Sequence, residues 1–197
     1  MNNFDGMRTL ENHKIVDERD GRLFNSRCVL SGAIDRVDDD GVQWRNNIKI
    51  ECEKRNFGIK FFDPCDKPKS LGSEIGKEKI AVKRLVREGR WEEAQELVKI
   101  FRHFDLRAID WCDFVIVKID INVHACGTYD EIFLAEREHK LILVIMGEGQ
   151  TKIDIPSWLV AFINEDEVFD TEDECVEYLS KLNSGDIPLD ERWVKLD

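Results

Sequence analysis

Apolar runs of strand length alternate along this chain with stretches of helical period. The strand-like runs occupy residues 27–30, 58–62, 113–119, 141–146 and 168–169. The helical stretches, in which apolar residues recur every three or four positions, occupy residues 42–55, 73–86, 91–112, 156–163 and 171–182. A further helix is expected to start near residue 127. Strands that alternate with helices in this way predict an α/β protein with a doubly wound, parallel, five-stranded sheet.

The length of the chain suits one domain with additional segments. With 197 residues it can bury a single full core, to which Trp44 and Trp111 are assigned. Residues 1–26 are polar and patternless, and are interpreted as a loose extension. Residues 184–197 are interpreted as a tail. The domain proper is therefore predicted at residues 27–183, with a helical insertion at about 66–103, between the second and third strands.

Charge, apolar run length and cysteine spacing limit the possible partners. The net charge of −12 argues against binding a nucleic-acid polymer, which depends on Lys and Arg contacts to phosphate. The longest apolar runs, six or seven residues, are far shorter than a membrane helix, and the N-terminus does not resemble a signal peptide. Six cysteines without a C-x-x-C pair are interpreted as reduced thiols. We therefore expect a cytoplasmic protein with no membrane partner and no metal site.

The segment at residues 127–131, between the third and fourth strands, contains the first candidate catalytic residue. Ligands of open α/β sheets bind at the carboxyl ends of the strands, so Glu131 is expected to face that crevice. Its charge would be stabilised by the start of a helix, which suits a nucleophile. The alternative is structural, because Thr128-x-x-Glu131 has the pattern of a capping box. The pattern leaves both interpretations open.

A second candidate carboxylate lies in the long helix predicted before the third strand. Asp105 falls on the apolar stripe that passes through Phe101 and Ala108. Partial desolvation there would favour its protonated form and suit it to hold or donate a proton. The alternative is a helix-edge residue that caps or forms an ion pair.

Five short motifs occur in a definite order within residues 27–148. They are Ser31-Gly32-Ala33-Ile34, Trp44-Arg45, Asp63-Pro64, Asp105-Leu106 and Gly127-Thr128-x-x-Glu131-x-x-x-Ala135. In this order and spacing the chain resembles the nucleoside 2-deoxyribosyltransferase family, which includes the deoxynucleoside 5'-monophosphate N-glycosidases. The resemblance implies a flavodoxin-like fold. It also implies an enzyme that cleaves the N-glycosidic bond of a (deoxy)nucleoside or nucleotide, by base transfer or by hydrolysis.

The resemblance assigns roles to individual residues. Glu131 would be the nucleophile that forms a glycosyl-enzyme through an oxocarbenium-like transition state, and Asp105 would be the aspartate on the base side. The implied substrate-binding residues are Ser31, Gly32, Ala33 and Ile34 at the sugar 5' group, Arg36 or Arg45 at an anionic group, Asp63 and Pro64 on the base side, and Gly127 and Thr128 before the nucleophile. No cofactor is implied.

The chain departs from the family pattern six residues before Glu131. Family members usually carry Asp or Ser there, whereas this chain has Ala125. The corresponding contact to the sugar or its 5' group is either missing or made by Asp120, Asn122 or His124. Phosphate recognition depends on this position.

The resemblance and the charge pattern also bear on whether the chain forms an oligomer. Family members often complete their sites with a neighbouring subunit, so a homo-oligomer is expected. The basic helix at residues 73–86 is expected either to meet an acidic surface of a second subunit or to cover the pocket. The alternative functions are a nucleotide-binding sensor on the same fold and an interaction protein, neither of which needs a nucleophile in the crevice.

Overall fold

The computed structural model describes residues 21–67, 77–189 and 192 of the chain. Five strands form one sheet in the order β2-β1-β3-β4-β5, and every neighbouring pair is parallel. The strands are β1 Arg27–Gly32, β2 Lys60–Phe62, β3 Phe114–Ile119, β4 Leu141–Met146 and β5 Val168–Phe169. The predicted five-stranded parallel α/β sheet is confirmed. Because the winding reverses between β1 and β3, their carboxyl ends form the crevice where such folds bind ligands.

In the described part of the chain, four α-helices lie between the strands and a fifth follows β5, and together they cover both faces of the sheet. They are α1 Val42–Lys54, α2 Lys77–Arg87, α3 Trp91–Trp111, α4 Cys126–Arg137 and α5 Glu172–Ser184. Successive residues of a strand point to opposite faces. Leu30 and Ile116 therefore pack in one core with α1 and α5, while their neighbours Val29 and Val117 pack in a second core with α3 and α4.

The helical insertion lies between β2 and β3, as predicted. It consists of α2 and the first part of α3, which meet at Gly89 with φ +74°, a conformation that glycine adopts without strain. The predicted helix at residues 73–86 is present from Lys77 onward, and residues 73–76 lie outside the described part of the chain. The second part of α3 packs against the sheet and carries Asp105.

Two predictions about apolar segments are wrong. The helix expected at residues 156–163 is only a 3₁₀ turn at Leu159–Ala161, because Trp158 and Val160 are exposed and the segment has no continuous buried face. Trp111, assigned to the core, is exposed at the end of α3, where its ring lies 5.8 Å from the Arg27 guanidinium. Trp44 is buried as predicted.

The segments at the two ends of the domain also pack against it. Leu23, within the predicted N-terminal extension, is fully buried in the first core. The Thr171 side chain caps α5 by accepting a hydrogen bond from the Glu174 amide, as predicted. Arg192, in the predicted tail, binds the buried Glu167 carboxylate. In the part of the chain that the structure describes, no helix has the length and apolar character needed to cross a membrane.

Candidate active site

A cavity of about 600 Å³ opens where β1 ends and α4 begins. This volume is within the range of roughly 300–1,000 Å³ that small-molecule sites occupy. The walls come from the turn after β1, the start of α4, and the sides of α2 and α3 that face them. Nine residues predicted for the site line it, namely Gly32, Ala33, Ile34, Arg36, Pro64, Asp105, Gly127, Thr128 and Glu131. The structure therefore brings Glu131 and Asp105 to the same cavity.

Glu131 is held by a buried serine. Its carboxylate accepts a hydrogen bond from the hydroxyl of Ser31, which is fully buried near the end of β1. A hydroxyl donor orients the carboxylate and stabilises its negative charge. Ser31 was predicted to contact a sugar 5' group, whereas in this structure its hydroxyl is bonded to the candidate nucleophile.

The capping-box interpretation of Thr128 and Glu131 is wrong. Helix α4 begins at Cys126, with Ala125 at the N-cap and no side-chain cap. Thr128 is therefore already inside the first turn, and Glu131 lies in the second turn. The expected stabilisation by the helix N-terminus weakens beyond the first turn, so the hydrogen bond from Ser31 is the more direct stabiliser of the Glu131 charge.

Asp105 lines the cavity and is also part of a buried ion pair. Only 7% of Asp105 is exposed, and the Lys67 ammonium lies 2.8 and 3.1 Å from its two carboxylate oxygens. The Lys67 side chain is 1% exposed. Contact with an ammonium group favours the ionised carboxylate, which opposes the desolvation effect predicted from the sequence. Both interpretations of Asp105, pocket residue and ion-pair partner, therefore describe part of its environment.

Arg45 and Asp63 are buried and do not line the cavity. Arg45 is fully buried, and its Nε atom lies 3.6 Å from the Asp63 carboxylate. Its guanidinium donates at 2.7–3.3 Å to the backbone carbonyl oxygens of Leu30, Gly32 and Gly41. These contacts connect β1 to the start of α1 and brace the turn that forms one wall. These contacts are structural, and the ligand contacts that the resemblance implies for Arg45 and Asp63 stay predictions.

Asp120 also lies outside this cavity. Its carboxylate accepts a hydrogen bond of 2.6 Å from the Gln150 amide, and it lines a separate cleft of about 710 Å³ beside the start of α5. Of the three residues proposed to replace the missing family contact, His124 alone is in the lining of the first cavity, next to Ala125. The sequence could not choose among them, because all three precede α4 in a turn with no periodic pattern.

The basic helix α2 lies over one side of the cavity. Val82 and Lys83 contribute to its wall, and the Lys83 ammonium is 2.7 Å from the carboxylate of Asp35, another lining residue. Arg102 of α3 lines the cavity as well, 2.6 Å from Asp130. The basic helix thus contributes to the wall of the cavity, and its contact with a second subunit stays a prediction.

Comparison with known proteins places this geometry in a known fold. No protein-family model and no curated protein matches the sequence. Among solved structures, the 2-deoxyribosyltransferase of the psychrotolerant bacterium Bacillus psychrosaccharolyticus aligns with a TM-score of 0.52 at 16% identity, over 80% of this chain and 96% of that one. This chain has the 2-deoxyribosyltransferase fold. The fold implied by the sequence motifs is thereby confirmed.

A second solved structure aligns less closely. The CMP N-glycosidase BcmB of Clostridium botulinum matches with a TM-score of 0.41 at 16% identity, over 78% of this chain and 98% of that one. On this fold, Glu131 and Asp105 line the cavity at the carboxyl end of β1, the edge of the sheet where such folds bind their ligands.

Cys126 provides a chemical probe of the cavity. It is exposed and lines the wall, whereas burial raises the pKa of the Cys52 and Cys112 thiols to about 12 and that of Cys28 and Cys175 well above the ordinary value. We therefore expect Cys126 to react with a thiol reagent well before these four, and a ligand in the cavity to slow its reaction. Peptide mass spectrometry over time, with and without nucleoside, measures both effects. Faster modification of any of the four buried thiols would contradict this assignment.

Proposed function

We propose that this chain cleaves the N-glycosidic bond of a (deoxy)nucleoside or nucleotide, with Glu131 as the nucleophile. The observation that carries the proposal is the pair of carboxylates, Glu131 and Asp105, on one cavity of suitable size. The 2-deoxyribosyltransferase fold supports the same chemistry, since one structure of that fold is an enzyme that transfers a deoxyribosyl group. A homo-oligomer and a cytoplasmic location stay predictions.

The proposed reaction passes through a glycosyl-enzyme. A Glu131 oxygen attacks the anomeric carbon of the sugar, the carbon–nitrogen bond breaks, and its electron pair leaves with the base. Water or a second base then attacks the same carbon, gives up one proton and restores the Glu131 carboxylate, while the departed base anion takes up one proton, so the overall reaction balances. The Ser31 hydroxyl orients the nucleophile in both steps.

The remaining wall residues divide the cavity between sugar and base. The sugar is placed against the turn of Gly32, Ala33 and Ile34, within reach of Glu131. The base is placed beside Pro64 and Asp105. Arg36, with 61% of its side chain exposed at the mouth, is the proposed partner of an anionic group on the sugar.

Incubation of the purified protein with a panel of nucleosides and nucleoside monophosphates tests the proposal. Free base, separated by chromatography, is the expected product. Addition of a second base distinguishes the two reaction types, because a transferase forms a new nucleoside and a hydrolase forms free sugar or sugar phosphate. Binding of a nucleotide without release of base from any substrate would contradict the proposal and favour a sensor.

Ser31→Ala is expected to lower kcat/KM for base release by roughly 10- to 100-fold, the effect of losing one hydrogen bond to a charged group. The carboxylate remains but loses its orienting donor. Ser26→Ala is the matched control, since it also removes a buried hydroxyl, which there donates to the carbonyl of Leu23. An equal loss of activity in both variants would show that the Ser31 effect is structural.

A further inference from the structure

Lys67 places a buried positive charge beside the pocket, and the chemistry proposed above does not use it. Its side chain is 1% exposed. Removing an ammonium group from water is costly unless an opposite charge compensates it. Lys67 follows directly on the 3₁₀ turn Pro64–Asp66, which leads away from the carboxyl end of β2. The chain therefore delivers this ammonium group to the edge of the sheet where the cavity lies.

The surroundings of Lys67 direct its ammonium group at Asp105. The nitrogen lies 2.8 and 3.1 Å from the two carboxylate oxygens, so it contacts both. It also lies 5.6 Å from the centroid of the Phe101 ring and 6.0 Å from that of Phe104, distances at which aromatic faces attract a cation. Phe104 is in turn packed against Phe62, with 5.2 Å between ring centroids. These aromatic rings shield the ion pair from water.

The other cations of the cavity lie at its mouth. The ion pairs described for them join Arg36 and Lys83 to Asp35, and Arg102 to Asp130. Their side chains are 61, 49 and 58% exposed. Within the described residues, Lys67 is thus the buried cation in direct contact with the base-side carboxylate.

Paired with Lys67, the Asp105 carboxylate acts as a hydrogen-bond acceptor and not as a donor. Ionised carboxylate oxygens only accept hydrogen bonds, and each can accept more than one. Asp105 can therefore bind Lys67 and still accept a hydrogen bond from a ligand in the cavity. If the edge of the base carries only acceptors, neither it nor the Asp105 carboxylate can donate a hydrogen bond to the other. The acceptor on such a base is then buried without a partner, which strongly disfavours this base relative to one that carries a donor.

We propose that Lys67 is a positioning residue that fixes Asp105 as an acceptor and thereby selects nucleobases that present an N–H donor to it. The inference rests on the proposed function and refines its substrate class. The donor expected to face Asp105 is an exocyclic amino group, so bases that carry one are the expected substrates and analogues that lack it are expected to be poor ones. The selectivity comes from Lys67 acting through Asp105, because Lys67 itself is not in the lining of the cavity.

The test compares nucleosides that differ by one amino group. The probes are 2'-deoxyadenosine with purine 2'-deoxyriboside, and 2'-deoxycytidine with the 2-pyrimidinone analogue. In at least one pair, wild type is expected to favour the amino substrate in kcat/KM by about 10- to 100-fold, the effect of one hydrogen bond to a charged acceptor. Lys67→Met should bring this ratio close to one, because Asp105 is then able to take up a proton. Lys67→Arg, which keeps the cation, should retain the preference.

Two further variants keep the test decisive if Lys67→Met does not fold. Asp105→Asn should also lose the preference, since an amide both donates and accepts. The double variant Lys67→Met/Asp105→Asn has no buried charge at the pair and should match Asp105→Asn alone. Lys99→Met, on the exposed surface of α3, is the control and should keep the wild-type ratio.

The outcomes separate this inference from the proposed function. A wild-type enzyme that releases base, combined with an unchanged ratio in folded Lys67→Met or Asp105→Asn, overturns the inference alone. A wild-type protein that cleaves no member of either pair, nor any nucleoside or monophosphate of the wider panel, overturns the proposed function and this inference with it.

Discussion

Glu131→Gln is expected to fold like wild type and to release base at least about 10⁴-fold more slowly, in the range seen when a catalytic nucleophile is removed. Glutamine has nearly the same shape as glutamate, and its amide oxygen can accept the hydrogen bond that Ser31 now donates to the carboxylate. The neutral amide cannot form the glycosyl ester, so only binding and positioning remain. Base release under saturating substrate, together with a thermal unfolding curve, measures both parts of this expectation.

Glu136→Gln is the matched control for this experiment. It makes the same chemical change on the same helix, at an exposed position outside the cavity lining. Its activity should equal that of wild type. Wild-type cleavage by Glu131→Gln would show that Glu131 is not the nucleophile. Because Glu131 does not cap α4, Glu131→Ala should not carry the stability loss of a missing helix cap.

Arg45→Met is expected to lower the free energy of unfolding by about 3–5 kcal/mol, because it removes a buried donor from three backbone carbonyl groups, and a buried acceptor left unpaired costs about 1–3 kcal/mol. The Arg45 side chain is fully buried, and the three carbonyl groups lie around the turn after β1. The Asp63 carboxylate, 3.6 Å from Arg45, keeps Lys49 at 2.7 Å as its cation. Chemical denaturation, followed by circular dichroism, measures the difference.

Arg55→Met provides the comparison for this prediction. Arg55 directly follows α1, and 38% of its side chain is exposed beside Glu177. Exposed ion pairs contribute about 0–1 kcal/mol, so this variant should be nearly as stable as wild type. If Arg45→Met is equally stable but loses binding of a nucleotide, Arg45 contacts the ligand, as the family resemblance implies, and does not brace the turn.

The strands were predictable from the sequence because most of their residues are buried. Parallel strands are buried on both faces, so they form continuous apolar runs that are visible without any knowledge of the fold. Leu141–Met146 is buried throughout, and its predicted boundaries match those observed. Even the short edge strand Val168–Phe169 was predicted correctly, because polar residues flank it on both sides.

The errors arise where sequence pattern and burial disagree. The start of α4 has no capping side chain, whereas the Thr128-x-x-Glu131 pattern favours a capping box that is not formed. Residues 156–163 are apolar in composition, but Trp158 is 76% exposed, and composition alone does not specify a buried face. Trp111 has a helical spacing like that of core residues, yet it lies at the last position of α3, where its ring meets Arg27 instead of the core.

The sequence predicted which two carboxylates meet at the candidate site but not the contacts that hold them. Glu131 and Asp105 belong to the helices on either side of β3, so the topology of the sheet brings them to one crevice. The contacts that hold them join distant parts of the chain: Ser31 and Glu131 are 100 residues apart, and Lys67 and Asp105 are 38 apart. Such tertiary contacts have no local sequence pattern. Nothing in the sequence therefore distinguishes Lys67 from the other basic residues of the insertion.

Trapping of the glycosyl-enzyme tests the central claim most directly. A nucleoside with fluorine at the sugar 2' position destabilises the oxocarbenium-like transition state and slows the breakdown of a covalent intermediate. Intact-protein and peptide mass spectrometry should then show one glycosyl group, esterified to Glu131, in wild type and no adduct in Glu131→Gln. An adduct on another residue, or a burst of free base from wild type without any labelled enzyme, would contradict the account.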